Sequence, residues 1–302
     1  MPDVLDAIAC AYRAREQLHQ SPELETYRLF HGYSEGLAGL EIDRFGDTAI
    51  ITSKGADASI FAPVADCLCE LGGFATVIAK ERGKPPAAIR GQLPSESQVV
   101  LEHGLRFGVE TWAPLNPGLY LDARPARTWL REQAHGARIL NLFSFAGSLG
   151  VAAMAGGAQA VTHVDTQKRA LKRCAANHAL NDQHVDHRDL VCEDVLRFLG
   201  KAGTGTRSYG GVIVDPPPNR EGKTQEGKLS AIALAAKVRP LVEPGGWILC
   251  FFHHDERSWD DLEQAVFEAV GTELDVTWRG QSGSDFPEED ERRRLRLSSF
   301  AV

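Results

Sequence analysis

"ARILNLFSFAGSLGVAAMAGGAQAVTHVDTQ", residues 137–167, decides the fold of this chain. It opens on ARILNLFSF, an apolar run of strand length. The small residues Ala146, Gly147 and Ser148 follow and lead into the helical stretch GSLGVAAMAGG. AVTHVDT is then a second strand, and it ends on the acid Asp165. Strand, helix and strand in immediate succession form a βαβ unit, so the two strands are expected to be parallel.

The same alternation continues downstream. QKRALKRCAANHALN (167–181) predicts a helix, YGGVIVD (209–215) a strand, LSAIALAAKVRPLV (229–242) a helix and GGWILCFF (245–252) a strand. The strands are nearly continuous apolar runs, as burial on both faces of a parallel sheet requires. ELDVTWRG (273–280) and LRLSSFAV (295–302) read as strands with no helix between them, which predicts an antiparallel edge.

Upstream the periods differ. Residues 3–20 carry apolar residues at helical spacing, and SPELETYR (21–28) offers Ser21 as a helix N-cap with Pro22 at the first helical position. GLAGLEIDRFGDTAIITSKG (36–55) reads as a hairpin turning at Arg44–Asp47, and DASIFAPVADCLCELGGF (57–74) as a helix ending at Gly72–Gly73. ATVIAKE is a strand, and QVVLEHGLRFGVET (98–111) a second hairpin turning near His103–Gly104. The first part is therefore a small α+β domain with an antiparallel sheet, and the boundary is placed between Glu110 and Asn116.

Composition sets outer limits. Of 302 residues, 43% are hydrophobic and 25% charged, as in an ordinary globular protein. No apolar run approaches the ~20 residues of a membrane helix, so no membrane partner is expected. Six cysteines without a framework suggest reduced thiols and a cytoplasmic location. A net charge of −8 excludes a generally basic surface. It leaves room for a local patch in DERRRLRL (290–297), where Arg292, Arg293, Arg294 and Arg296 either contact phosphates or sit in a solvated turn balanced by neighbouring acids.

Ligands of open α/β sheets bind beyond the carboxyl ends of the strands, so the residues that follow each strand carry the chemistry. The Ala146–Gly147–Ser148 turn lets a ligand approach the backbone at a helix N-terminus; a tight turn with no ligand is the plainer alternative. Asp165 lies where a carboxylate can accept from both hydroxyls of a ribose, or it caps the helix that starts at Thr166. Asp194 ends a short apolar stretch and either faces an adenine amine or caps a helix. Asp215 ends the third strand and runs into Pro216, Pro217 and Pro218. Proline fixes φ and has no N–H, so the Pro216 and Pro217 carbonyls can be aimed rigidly at a substrate.

An adenosine-like ligand needs these groups in this order. A dinucleotide prefers G-x-G-x-x-G, and here Phe145 stands at the first glycine. S-adenosyl-L-methionine has no pyrophosphate, tolerates the bulkier turn and suits the Asp-Pro-Pro step.

Residues ~28–302 resemble the class I S-adenosylmethionine-dependent RNA methyltransferases of the large-subunit ribosomal RNA group, related to the 23S rRNA 5-methylcytosine enzymes. The resemblance is carried by GLAGLEIDRFGD, GLYLDARPAR, LNLFSFAGSLGVAA with HVDTQKRAL, DPP and SGSDFP. It implies an α/β, Rossmann-like class I methyltransferase domain over 113–302, preceded by an RNA-facing α+β domain over 1–112. The sheet of that catalytic domain would be mostly parallel and seven-stranded, with an antiparallel C-terminal edge.

It further implies that Phe143, Ser144, Ala146 and Gly147 cradle the methionine portion. Asp165, with Thr166 beside it, would hold the ribose, and Asp194 would meet the adenine. Asp215 and Pro216 would face the methyl group, and Tyr120, Asp122, Arg124 and Arg127 would close over the cofactor. The substrate implied is RNA, ribosomal RNA foremost; a small molecule or protein substrate, and a non-catalytic RNA-associated protein, are the alternatives.

Three departures from the family stand out. A PUA domain is common at the N-terminus of its members, and the chain reads as too short for one. Pro218 and Asn219 stand where an aromatic would stack the target base. His253 stands where the 5-methylcytosine members place a nucleophilic Cys, while Cys250 lies inside the preceding strand. Methylation at carbon 5 needs that thiolate, which argues against a 5-methylcytosine activity, whereas transfer to a base nitrogen needs no nucleophilic Cys; the atom methylated stays open, and His253 is a candidate substrate contact or general base. No metal is expected, since neither His253–Asp255 nor Cys67 with Cys69 forms a ligand set. A homodimer is compatible with the sequence.

Overall fold

The computed structural model describes residues 2–55, 57–202, 208–218, 230–253 and 255–302. Two compact units emerge: Met1–Leu121 with Gly283–Glu289, and Asp122–Ser282 with Asp290–Val302. Residues 113–121 and 283–289 thus belong to the first unit. Among the described residues no helix is long and apolar enough to cross a membrane.

The first unit runs α1 (Pro2–Ala14), α2 (Glu16–His19), β1 (Thr26–His31), β2 (Leu40–Phe45), β3 (Thr48–Ser53), α3 (Phe61–Gly72), β4 (Thr76–Glu81), β5 (Ala87–Arg90), β6 (Gln98–Glu102) and β7 (Leu105–Val109). β1 to β5 form one sheet in sequence order, and β6–β7 is a separate hairpin. Ile8 and Ala11 of α1 and Val64 and Leu68 of α3 gather with Tyr27, Phe30, Ile42, Ile51 and Val77 in one buried core.

Two expectations fail in this unit. SPELETYR does not start a helix: Thr26–His31 is a strand paired with β2. The buried Tyr27, Leu29 and Phe30 outweigh the local capping signal, because burying each such side chain contributes about 1.5–3 kcal/mol against about 1 kcal/mol for a cap. The sheet is also mixed, since β3 and β4 run parallel, joined by α3. That helix stops at Gly73, whose φ of 63° is the left-handed cap a glycine supplies.

The second unit runs α4 (Arg124–Gln133), β8 (Arg138–Leu142), α5 (Ser148–Ala155), β9 (Ala160–Asp165), α6 (Lys168–Leu180), β10 (Leu190–Cys192), α7 (Val195–Ala202), β11 (Tyr209–Val214), α8 (Ala231–Val238), β12 (Val242–Phe252), α9 (Trp259–Val270), β13 (Asp275–Gln281) and β14 (Arg296–Ala301). The sheet order is β10-β9-β8-β11-β12-β14-β13. Every pair from β10 to β12 is parallel, and β14 lies antiparallel between β12 and β13. This is the Rossmann-like arrangement with the antiparallel edge expected of it.

Val212, Ile213 and Val214 are fully buried, as a strand covered on both faces must be. Two helices went unread in the sequence. α9 is opened by a reciprocal capping box between Ser258 and Asp261. α4 hides its apolar face among arginines. Successive strands step away from β8 on one side, whereas β11 pairs on its other side. The chain reverses direction across the sheet there, and the crevice beyond those strand ends is where such sheets bind ligands.

Candidate active site

The link from β8 to α5 has an unusual backbone. Phe143, Phe145 and Gly147 have φ of 55°, 46° and 77°, alternating with ordinary residues. Left-handed backbone is rare for phenylalanine and costs ~1–2 kcal/mol per residue, so the surroundings must hold this loop. Asp165 at the end of β9 does much of that. Its Oδ2 accepts the Phe145 N–H at 2.9 Å and its Oδ1 the Gln167 N–H at 2.8 Å. The Ser144 N–H donates to the Val164 carbonyl at 3.1 Å, and Asn177 Nδ2 of α6 donates to the Ala146 carbonyl at 2.8 Å.

Gly147 is required twice, by its φ and by space. A Cβ there would overlap the Cys174 side chain of α6.

Ser144 Oγ is buried and has no hydrogen-bond partner among the described residues. A polar atom left this way in the loop fits a ligand that completes it. Asp165, with each oxygen already holding one N–H, keeps lone pairs for hydroxyl donors. Asp165 Oδ1 satisfies Gln167, not Thr166, and Thr166 itself is exposed. Asp194 is exposed, and its Oδ1 accepts the Arg197 N–H at 3.0 Å, which caps α7. The capping alternative is therefore realised, with the second carboxylate oxygen left over.

At the other side of the switch point, Val214 of β11 pairs with Cys250 of β12. Asp215 and His253 accordingly leave neighbouring strands at the same end. His253 Nε2 lies 2.8 Å from Asp215 Oδ1, with side-chain exposures of 22% and 24%, so the pair is half-buried yet reachable. Burial opposes charge on His253. The hydrogen bond and the charge of Asp215, with Asp122 adding, outweigh burial and hold its pKa above the ordinary histidine value. Pro216 is buried, and Pro217 and Pro218 are exposed. Asn219 and His254 lie outside the described residues.

Arg124 and Arg127 open α4 and are buried, Arg127 almost completely. Tyr120 belongs to the first unit and is 49% exposed. Cys250 is fully buried within β12, and burial pushes its thiol pKa up. A protonated, enclosed thiol is not a nucleophile. Within the arginine run, Arg292 pairs with Asp290 at 2.8 Å, and Arg296 is buried with its guanidinium on the carbonyls of Arg257 and Asp255. Arg296 is structural and cannot be a phosphate contact.

A left-handed loop after the first parallel strand, an acid after the second and an acid–proline step after the fourth thus stand at the strand ends, where open α/β sheets bind ligands. The profile of the S-adenosylmethionine-dependent methyltransferases matches residues 73–291, and the chain belongs to that family. Its cofactor is S-adenosylmethionine.

The chain is 32% identical to ribosomal RNA large subunit methyltransferase I of Klebsiella pneumoniae (strain 342) over 291 residues, covering 90% of this chain and 72% of that protein. It is 29% identical to the protein of the same name from Cronobacter sakazakii over 295 residues, covering 92% and 74%. The crystal structure of SMU.776 complexed with SAH superposes with a TM-score of 0.90 at 24% identity, covering 99% of this chain and 80% of that one. This last likeness establishes the fold.

Proposed function

We propose that the chain methylates a base of RNA, with large-subunit ribosomal RNA the favoured substrate and a ring or exocyclic nitrogen the favoured acceptor. The names of the relatives at about 30% identity support the RNA class. The 2.8 Å Asp215–His253 pair at the carboxyl ends of β11 and β12 carries the reading of the chemistry.

On this reading Phe143, Ser144, Ala146 and Gly147 hold the methionine portion of the cofactor, and Asp165 receives the ribose hydroxyls. Asp194 offers its free oxygen to the adenine, and Asp122, Arg124 and Arg127 border the site. The bound cofactor supplies a methyl group on a sulfonium, which leaves as a neutral thioether. Asp215 and the Pro216 and Pro217 carbonyls accept from the target nitrogen and align its lone pair, the main contribution a protein makes to such a displacement. The N–H proton released by transfer passes to the Asp215–His253 pair, which takes it up while His253 is neutral.

The six cysteines also bear on the acceptor atom. Cys250 is enclosed in β12, and Cys192 ends β10, three strands from β11 in the sheet. A covalent adduct at carbon 6, needed for carbon-5 transfer, has no thiolate beside Asp215 among the described residues.

The first unit is assigned to RNA contact. Mapping ribosomal RNA modifications with and without the gene tests the whole reading. One N-methylated nucleotide lost with the gene is expected, and an unchanged map would overturn it.

A further inference from the structure

Behind the cofactor loop, α6 carries Cys174 and His178 four residues apart, so both leave one face of the helix. That face meets His163 of β9. All three side chains are buried, and one donor atom from each lies within 4.8 Å of the other two. The two Nε2 atoms are 3.0 Å apart.

The hydrogen bonds around this cluster fix its protons. Gln183 Nε2 donates to the Val151 carbonyl at 3.0 Å, which leaves Gln183 Oε1 to accept from His178 Nδ1 at 2.8 Å. His178 therefore presents an Nε2 lone pair toward His163. One proton on His163 Nε2 fills the gap, and His163 Nδ1 then accepts from Asn141 Nδ2 at 3.3 Å. This arrangement leaves Asn141 Oδ1 buried with no partner.

Turning the Asn141 amide over gives that oxygen a donor, the Nδ1–H of His163. Both Nε2 lone pairs then face each other beside the Cys174 sulfur, and the amide nitrogen takes the unpartnered place; in this second arrangement the two nitrogens and the sulfur are donors a cation can satisfy.

We propose that His163, Cys174 and His178 form a buried site for a thiophilic transition-metal ion. Binding exchanges one proton for the metal. The Cys174 S–H proton leaves to solvent, the His163 proton moves from Nε2 to Nδ1, and one metal–sulfur and two metal–nitrogen bonds form with no change of oxidation state. Metal–nitrogen bonds of about 2.0 Å at the trigonal angles of a three-coordinate site require nitrogens ~3.5 Å apart, so a parting of the rings by about 0.5 Å admits the ion. Cu+ suits the site best: two imidazoles and a thiolate are donors it favours, and the thiolate cancels its charge in an interior that penalises net charge. Zn2+ would keep a net positive charge and call for a fourth ligand. The inference does not rest on the methyl-transfer reading.

The test uses the full chain, stripped with chelator and kept reduced. It is titrated anaerobically with Cu+ against a chromogenic Cu+ chelator, and in a separate arm with Zn2+ against a fluorescent zinc chelator. One ion per chain is expected, with Cu+ the tighter. X-ray absorption of the loaded protein should show one sulfur and two imidazole nitrogens. His178→Gln and Cys174→Ser should each weaken binding tenfold or more, while Cys10→Ser and Cys192→Ser, at exposed thiols, should leave it unchanged. If a ligand variant fails to fold, the absorption spectrum of the unaltered chain carries the test. No stoichiometric ion in either arm, a bound ion without sulfur, or binding abolished by Cys192→Ser would overturn the site.

Discussion

Asp165→Asn separates the two jobs assigned to that carboxylate. The side chain accepts the Phe145 N–H at 2.9 Å and the Gln167 N–H at 2.8 Å. Asparagine keeps the shape but offers a single acceptor, so its NH2 must face one of these two N–H groups. Hydrogen bonds to a charged group contribute ~1.5–3 kcal/mol and neutral ones ~1 kcal/mol. Losing one and weakening the other destabilises the loop by about 2 kcal/mol or more without any ligand. Hydrogen exchange reads this directly: exchange at the Phe145 and Gln167 amides should rise roughly thirtyfold if local opening controls it. Calorimetry with S-adenosylhomocysteine reads the second job. Replacing a charged acceptor of the ribose hydroxyls by a neutral one should weaken binding roughly ten- to a hundredfold. Unchanged exchange would refute the account of the loop, and unchanged affinity would refute the ribose assignment.

Other substitutions probe the rest of the site. Gly147→Ala meets both the left-handed φ of 77° and the Cys174 side chain. It should cost about 2–5 kcal/mol, from ~1–2 for the backbone and ~1–3 for overpacking. Adding Cys174→Ala should recover only part of that in thermal melts, and full recovery would show that φ is unimportant. The raised pKa of His253 has a definite sign for stability. The contribution of the Asp215–His253 pair is complete below the unfolded histidine value of ~6.5 and is lost as pH rises through the higher folded value. Asp215→Asn should therefore lower the His253 pKa, followed by NMR of its ring protons; a pKa that stays raised would refute the pairing. Cys250→Ala should retain methyl transfer to within a few-fold, and its abolition would reinstate a thiol nucleophile.

The parallel sheet was legible because each of its strands is a short apolar run closed by its own punctuation, and the acids at positions 165, 194 and 215 close such runs. What escaped depended on partners distant in sequence. Nothing local pairs Asp215 with His253; the β11–β12 register does so, by setting Val214 against Cys250. α4 was missed because Arg124 and Arg127 read as polar yet are buried together with Ala126, Trp129 and Leu130. The run SPELETYR has the chemistry of a helix start, but Tyr27 and Phe30 satisfy the core as a strand. α9 could have been read, since Ser258 and Asp261 ahead of a helical run closed by Gly271 are a complete set of caps. Cys174 and His178 at helical spacing were equally visible. The third member of that cluster, His163, comes from another element, and the expectation of no metal weighed only residues close in sequence.

Radiolabelled methyl transfer to ribosomal RNA from a strain lacking the gene, followed by nucleoside mass spectrometry, tests the central claim most directly. Turnover yielding an N-methylated nucleoside, lost with Asp215→Asn while S-adenosylhomocysteine still binds, is the expected result. No RNA methylation by a protein that binds the cofactor, or a product methylated at carbon 5 of cytosine, would contradict it.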